Sequence, residues 1–427
     1  MDCRRNIHLK IYQQFRTAVV SFLAFTRVLV LTLCRFGALI RNGLPPISTL
    51  SLAQEKLAHS RLPFSVETLT DKQTAFALLS RRILLHFRSL QSASATMGSN
   101  LIARHLQVAF VVPKHRQFVV SGSPSEPFLI EAAAEMMATT GFSAIHSLLN
   151  FANEGLLNAG ESDEIVGRLL TIDAYDFALR KRPPTGPRHM YHSWVPVLEF
   201  LEALFTDRVY EDIIKIKPYR QPDGRTLGEA FKNAVIRLTH YVRLSHLSLI
   251  TAANVRKAFI RGMGLVGAAS QTLIDIVIPM LFVDLEKGPS DWIVDQTRMS
   301  HLMTNWKNKA TDATPPHSDP YDDYKQLNME LPTILMWSQF GSKKSEHVLP
   351  QTSQIHCPGR AVYFIDLYGI GPEIYRGITA TNQQQYQQLV GCDEMFQDAP
   401  FIFEEYRSAV ECTLPTWSTA SFEQTAS

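Results

Sequence analysis

An unbroken apolar run from Ile276 to Phe282, preceded by Ile274 and Asp275, predicts a buried strand over residues 273–283. Its residues are largely β-branched and no polar residue alternates with them, which is typical of a strand covered on both faces. Asp275 is the exception. An ionised carboxylate in such a position is costly unless a cation pairs with it or binds it. The pattern therefore indicates a site for positive charge, such as a metal ion, near the start of this strand.

Helical periodicity dominates the chain before residue 260. We predict helices where apolar residues recur on one helical face, namely over residues 76–90, 101–112, 128–139, 143–158, 162–182, 197–205, 226–242 and 254–261. The 226–242 helix begins with the capping box Thr226-Leu-Gly-Glu229. Residues 43–75 and 91–99 are rich in proline, serine or threonine and are predicted to be linkers.

Strand patterns follow the helical part of the chain. They are predicted at residues 273–283, 299–306, 333–340 and 360–368, with a last helix at 382–396. Helices followed by a sheet predict an α+β protein, with a helical region leading into a small α/β domain. The predicted division is an extension over 1–96, a helical region over 97–260, an α/β domain over 261–417 and a disordered tail over 418–427.

Composition excludes several classes of protein. With 45% hydrophobic and 19% charged residues in 427, the chain can bury a sizeable core, so wholesale disorder is excluded. Its 42 basic and 40 acidic residues nearly balance, so any nucleic-acid contact requires a local patch. The five cysteines are spread widely and form no CxxC pair. This argues against a disulfide framework or zinc ribbon and indicates a reducing, intracellular location, in the cytoplasm or nucleus.

The first 45 residues carry seven basic side chains and one acid, Asp2. Residues 18–34 are mostly apolar but are split by Arg27. A spanning helix needs about 20 apolar residues, and a central Arg costs about 2.5–3.5 kcal/mol on insertion. A membrane span is therefore disfavoured against a loosely packed extension. A mitochondrial presequence or a membrane anchor over residues 1–45 remains as an alternative.

Known phosphate-binding and hydrolase motifs do not account for this chain. Gly262-Met-Gly-Leu-Val-Gly267 matches GxGxxG, but a dinucleotide site requires a strand before it and a helix after it. Here a helix is predicted before it and a strand after it, so we predict that these glycines form a turn. The sequence contains no GxxxxGK[ST], GxSxG or HExxH. The P-loop, serine-hydrolase and zincin classes therefore lack their motifs.

The remaining candidate site combines Glu164 on a helix, Asp275 on a strand, and Asn305 and Lys307 at the end of the next strand. Phosphodiester cleavage is helped by a divalent cation, and Mg²⁺ takes one or two carboxylates together with waters and substrate oxygens. A lysine beside them can orient the nucleophile and stabilise transition-state charge. Glu164 and Asp275 are the predicted Mg²⁺ ligands.

Several stretches also carry a family resemblance. They are Asn100–Leu106, Ser121–Pro127, Gly160–Leu170, Leu227–Phe231, Ile274–Pro279 and Trp306–Asn308. From about Met97 to Trp417, the chain resembles a protein family of mushroom-forming basidiomycete fungi. Members of that family sit beside or are fused to P-loop ATPase modules, and they have been related to Crinkler-type effectors. Its carboxy-terminal part resembles the restriction-endonuclease-like PD-(D/E)xK fold.

The resemblance implies a metal-dependent nuclease in which Glu164 matches the helix glutamate, Asp275 the strand aspartate and Lys307 the catalytic lysine. Nucleic acid and a P-loop ATPase-containing protein are the implied partners. The family usually has Gln-x-Lys where this chain has Asn305-Trp306-Lys307. Because neither amide is a carboxylate, the third acid is missing and the site is predicted to be degenerate. The alternatives are an interaction module that keeps the fold without catalysis, and a membrane-tethered protein.

Overall fold

The computed structural model describes most of the chain between residues 46 and 391, in segments separated by gaps. The described ranges are 46–85, 92–111, 120–123, 125–139, 141–157, 162–182, 193–218, 224–244, 249–267, 274–287, 292–308, 331–341, 346–348 and 361–391. The predictions for residues 1–45 and for the tail at 418–427 lie outside them. No helix within these ranges is long and apolar enough to cross a membrane.

Helices and strands are both abundant in the described ranges, so the predicted α+β class is confirmed. The helices are α1 (Pro46–Ala58), α2 (Val66–Thr70), α3 (Lys72–Ile83), α4 (Ser92–Arg104), α5 (Pro127–Met137), α6 (Ala144–Asn153), α7 (Ser162–Lys181), α8 (Val197–Leu204), α9 (Asp207–Ile213), α10 (Leu227–Phe231), α11 (Ala252–Arg261) and α12 (Gln383–Val390). The strands are β1 (Val108–Val111), β2 (Val120–Gly122), β3 (Val195–Pro196), β4 (Ala234–Ile236), β5 (His240–Arg243), β6 (Met263–Val266), β7 (Ile276–Phe282), β8 (Met299–Lys307), β9 (Thr333–Gln339), β10 (Glu346–Val348) and β11 (Val362–Tyr368).

Among the described residues, a mixed nine-stranded sheet forms the centre of the fold. Its main path runs β10-β11-β9-β8-β7-β4-β3, and β6 joins β7 beside β4 and carries β5. Strands β8, β9 and β11 are parallel, whereas β7 is antiparallel to β8. The start of β7 and the ends of β8, β9 and β11 therefore lie at one edge of the sheet.

Each face of the sheet is covered by helices. Leu302 and Trp306 of β8 lie in the larger core, which α7 shares. Met299 and Met303 lie in the smaller core on the other face, with Phe259 of α11. Successive side chains of a strand point to opposite faces, so burial on both sides explains the unbroken apolar runs of β7 and β9.

The predicted linkers at 43–75 and 91–99 are wrong, because those residues contribute to α1–α4. Ser65 caps α2 and Asp71 caps α3, so the polar residues that suggested a linker begin helices instead. Ten of the twelve residues of α3 are buried. Its Phe76, Leu79 and Ile83 belong to the same core as the sheet.

Strands also appear where helices were predicted. The 101–112 helix is wrong beyond Arg104, where α4 ends and β1 follows. The 226–242 helix is wrong beyond Phe231, because β4 and β5 occupy the rest. The Thr226–Glu229 capping box is present but opens only a five-residue helix. Tertiary pairing with β7 and β6 overrides helix propensity in both strands.

The predicted glycine turn at 262–267 is also wrong in part. Gly262 ends α11 in the left-handed conformation, at φ 69°, and the following residues form β6. A strand after the helix agrees with the exclusion of a dinucleotide site. The other predicted strands and the 197–205 helix are confirmed within a few residues at their ends.

Helix α7 approaches the sheet very closely at Gly167. A Cβ on Gly167 would overlap the indole ring of Trp306, whose side chain is fully buried. That ring stacks on Phe340 with 5.1 Å between centroids. This contact places the first turns of α7 over the end of β8.

Candidate functional site

The carboxylate predicted from the apolar run lies at the shared edge of the sheet, immediately before β7. The backbone N–H of Asp275 donates to the carbonyl of Thr304 at 3.0 Å, and its carbonyl accepts from the N–H of Gly267 at 2.8 Å. Asp275 is thus held between β8 and the residue that follows β6. This backbone pairing fixes the direction of its side chain.

Both oxygens of the Asp275 carboxyl have partners on β8. Oδ2 accepts from the backbone N–H of Trp306 at 2.6 Å, and Oδ1 accepts from Nζ of Lys307 at 3.3 Å. The Asp275 side chain is 2% exposed and that of Lys307 is 25% exposed. A buried carboxylate is therefore paired with a lysine that still reaches solvent.

Burial raises the pKa of the Asp275 carboxyl to about 7. Within that value, the Lys307 ammonium and the Trp306 N–H lower the pKa, and the charges of Glu164 and Asp163 raise it. The lysine thus offsets only part of the penalty that burial and the neighbouring acids impose on the ionised form. A cation between Asp275 and Glu164 would favour ionisation, as an opposite charge does at close range.

Asp163, which the sequence interpretation missed, connects α7 to the end of β8. Its Oδ1 accepts from the N–H of Glu164 at 2.9 Å, and its Oδ2 accepts from the N–H of Asn308 at 3.1 Å. Asn308 in turn donates through Nδ2 to the carbonyl of Val390 at 2.7 Å. Asp163 stands beside Glu164 in the first turn of α7. This adjacency is the sequence feature from which its part in the site could have been predicted. Its role here is to position Glu164 and the strand end.

The structure pairs Asp275 with Lys307, and the charge of Glu164, in the first turn of α7, raises the pKa of Asp275. Asn305, the remaining predicted catalytic residue, is fully buried within β8 and lies opposite Trp337 of β9 in register. An amide at this position carries no negative charge. It therefore cannot serve as a third acidic ligand.

The donor set is suited to a hard cation that takes few protein ligands. Within the described ranges, no three His, Cys, Asp or Glu side chains form a group that could hold a metal ion. Two carboxylates, from Glu164 and Asp275, match the way Mg²⁺ is bound when waters and substrate phosphates fill its other positions. The same set excludes a closed structural zinc site here, which needs four protein ligands.

Fold and site together define an α+β protein with a buried aspartate–lysine pair at a sheet edge. The chain matches, over residues 65–288, a family described as a domain of unknown function, DUF8736. It belongs to that family, whose matched part holds Glu164 and Asp275 but ends before Lys307. No curated protein and no solved structure matches the chain.

Proposed function

We propose that this protein is a metal-dependent nuclease-like protein that acts on phosphodiester bonds of DNA or RNA, with a restriction-endonuclease-like arrangement of its carboxy-terminal sheet. The observation that carries this proposal is the ion pair between Lys307 and the buried Asp275, at 3.3 Å. The charge of the second acid, Glu164, raises the pKa of the same carboxyl. The cysteine pattern supports an intracellular location.

Glu164 and Asp275 are the residues that would hold Mg²⁺. When bound, such an ion polarises the phosphate and lowers the pKa of a water. Asp275 is fixed for this role by the N–H of Trp306 and by its place between two strands. Asp163 holds the start of α7, the helix turn that carries Glu164, against Asn308.

Lys307 is the group through which the site meets its substrate. Its side chain is 25% exposed while its amine touches Asp275. An ammonium in this position can contact a phosphate oxygen and stabilise the charge that develops during hydrolysis. Without a metal, burial raises the pKa of Asp275 to about 7. Since a cation favours the ionised carboxyl, metal binding is expected to strengthen as pH rises towards 7.

A non-catalytic interaction module is the second candidate, and a specific observation favours it. Lys307 already provides a positive partner that offsets part of the cost of burying Asp275, so the acid has a compensating charge without a metal ion. Asn305 stands where a third acid would be needed, and its neutral amide is a further argument against catalysis. In this case the ion pair would maintain the sheet edge and the surface around it would bind a partner.

The two candidates are separated by a cleavage assay on the full-length protein. Supercoiled plasmid and single-stranded RNA are incubated with the wild type in the presence of Mg²⁺ or Mn²⁺, and with EDTA as the metal-free condition. Lys307→Met and Asp275→Asn are expected to abolish cleavage. Lys287→Met is the matched control, because Lys287 pairs with Asp284 on the exposed surface.

Cleavage that survives both site substitutions would contradict the proposal. Absence of cleavage by a wild type with the circular dichroism of a folded protein would favour the interaction module. Binding of the nucleic acid without cleavage, measured by mobility shift, would leave the surface as a nucleic-acid-binding one. Loss of that binding in Lys307→Met would then show that the lysine contacts the phosphate backbone.

A further inference from the structure

A serine and a histidine meet at the edge of the sheet opposite to Asp275. Ser125 lies between β2 and α5, and its Oγ is 2.8 Å from Nε2 of His240, the first residue of β5. His240 pairs in register with Met263, the first residue of β6. Strand β6 reaches the candidate nuclease site only beyond its other end, where the N–H of Gly267 donates to Asp275. Four residues of strand span about 13 Å, so the two sites are separate.

The hydrogen bonds around the imidazole ring of His240 fix its tautomer. Oγ1 of Thr239 donates to the carbonyl of Gly262 at 3.1 Å, and a carbonyl can only accept. Because a threonine hydroxyl carries one hydrogen, Thr239 Oγ1 must accept from Nδ1–H of His240, which lies 3.0 Å away. In the neutral ring Nε2 then carries the lone pair and accepts from the hydroxyl of Ser125. The serine proton therefore points at a nitrogen that can take it.

A guanidinium contacts the same serine. Arg261, the last residue of α11, donates from Nη2 to Oγ of Ser125 at 3.3 Å. The same nitrogen also donates to the carbonyl of Ser125, which holds the guanidinium beside the hydroxyl. A fixed positive charge at this place favours negative charge on the serine oxygen during attack. It is also close enough to stabilise the oxygen of a substrate that has reacted with Ser125.

The base of this cluster is buried and its nucleophile is open to solvent. His240 and Thr239 are each 2% exposed, whereas Ser125 is partly exposed and Arg261 is exposed. A substrate can therefore reach the serine while the histidine keeps its orientation. A hydroxyl bonded to a base, with the base oriented by a third group, is the arrangement that activates a serine for covalent catalysis. It is recognised by geometry and recurs on unrelated folds, so the missing GxSxG motif does not exclude it.

We propose that Ser125 is an activated nucleophile that cleaves carboxylic esters, with His240 as general base and Arg261 stabilising the oxyanion. Oγ of Ser125 bonds to the ester carbonyl carbon while its proton passes to Nε2 of His240. The bond from that carbon to the alcohol oxygen then breaks, and the alcohol leaves with this proton. Water next attacks the acyl-serine, giving one proton to Nε2; the carboxylic acid departs and Ser125 regains its hydrogen. Thr239 is a positioning residue that holds the tautomer.

The proposal is tested on the full-length protein with p-nitrophenyl acetate, an activated ester. Such an ester is the appropriate probe because Thr239 is neutral and does not stabilise an imidazolium as a carboxylate does. Release of p-nitrophenolate is followed by absorbance, and peptide mass spectrometry of the quenched reaction is expected to find the acetyl group on Ser125. Ser125→Ala should abolish this acylation. His240→Gln should slow it by roughly 100-fold or more, and Arg261→Met by roughly ten-fold or more.

Ser123→Ala is the matched control, because Ser123 Oγ bonds to Oγ of Ser80 and should leave the rate unchanged. Thr239→Val should slow acylation by roughly ten-fold or more, since the tautomer is no longer held. Thr239→Ser keeps the acceptor and should restore the rate, and equal rates for the two variants would overturn the role of Thr239. Acylation undiminished in Ser125→Ala would overturn the proposal. So would a wild type that has the circular dichroism of a folded protein and is not acylated at Ser125.

Discussion

Replacing Asp275 with asparagine should stabilise the protein at alkaline pH while removing its candidate function. Asparagine keeps nearly the same shape, and its side-chain oxygen can still accept from the N–H of Trp306. The substitution removes the negative charge of a side chain that is 2% exposed and lies immediately before β7. An acid whose pKa is raised by folding destabilises the folded state at any pH where it is ionised. Replacing it with a neutral residue is therefore expected to increase the free energy of unfolding at those pH values.

The size of this effect follows from the pKa. In the folded protein it lies at about 7, against an ordinary 3.8. Between these values the folded state holds a proton that the unfolded state has lost, so stability falls as pH rises through this window. A difference of about three pKa units corresponds to roughly 4 kcal/mol. The unpaired Lys307 in the variant costs about 1 kcal/mol, so we expect a net gain of about 1–3 kcal/mol above pH 7.

The assay is urea unfolding of wild type and Asp275→Asn with EDTA present, at about pH 3 and about pH 8, on either side of the window. The free energies of unfolding should be close to each other at the lower pH and should separate at the higher one. The slope against urea should be unchanged, which shows that the two proteins expose the same surface on unfolding.

Two results would refute this reasoning. If the variant is less stable than the wild type at both pH values, the Lys307–Asp275 pair stabilises the fold, and burial of the ionised carboxyl does not destabilise it. If the difference between the two proteins is independent of pH, Asp275 does not titrate in the window that burial assigns to it. Either result would also remove the reason to expect a cation at Glu164 and Asp275.

Three further predictions concern the packing that holds the site. Gly167→Ala should destabilise the protein by about 1–3 kcal/mol in urea unfolding, because the new methyl group overlaps the Trp306 ring. Arg82→Met should cost about 3–5 kcal/mol by the same measurement, because it leaves the Asp176 carboxylate buried without its partner. A chain that begins at Met97 should lack cooperative thermal unfolding, because it loses the buried helix α3 from the main core.

Each of these has an informative comparison. Gly377→Ala adds a Cβ 3.8 Å from Leu170, an ordinary contact, and should leave stability unchanged. Glu154→Gln removes an exposed ion pair with Lys72 and should cost at most about 1 kcal/mol. For the shortened chain the comparison is the full-length protein. Equal unfolding temperatures of the two chains would show that α1–α3 are dispensable to the fold.

The local sequence determined the elements whose pattern does not depend on a partner. The apolar runs at β7 and β9 require burial on both faces wherever they lie. The acidic first turn of α7 and its apolar positions likewise predict a helix from Ser162 onwards. The position of Asp275 in an apolar run was enough to predict that a positive group accompanies it.

Only the tertiary structure decided which elements the weaker patterns would form and which groups would meet. Residues 234–236 and 240–243 became strands because they pair with β7 and β6, and this pairing does not depend on local propensity. The contact of Gly167 with Trp306 brought α7 to the end of β8, and with it Asp163 to Asn308. These contacts join residues more than a hundred positions apart, so they follow from how the faces of helix and sheet pack and not from any spacing along the chain.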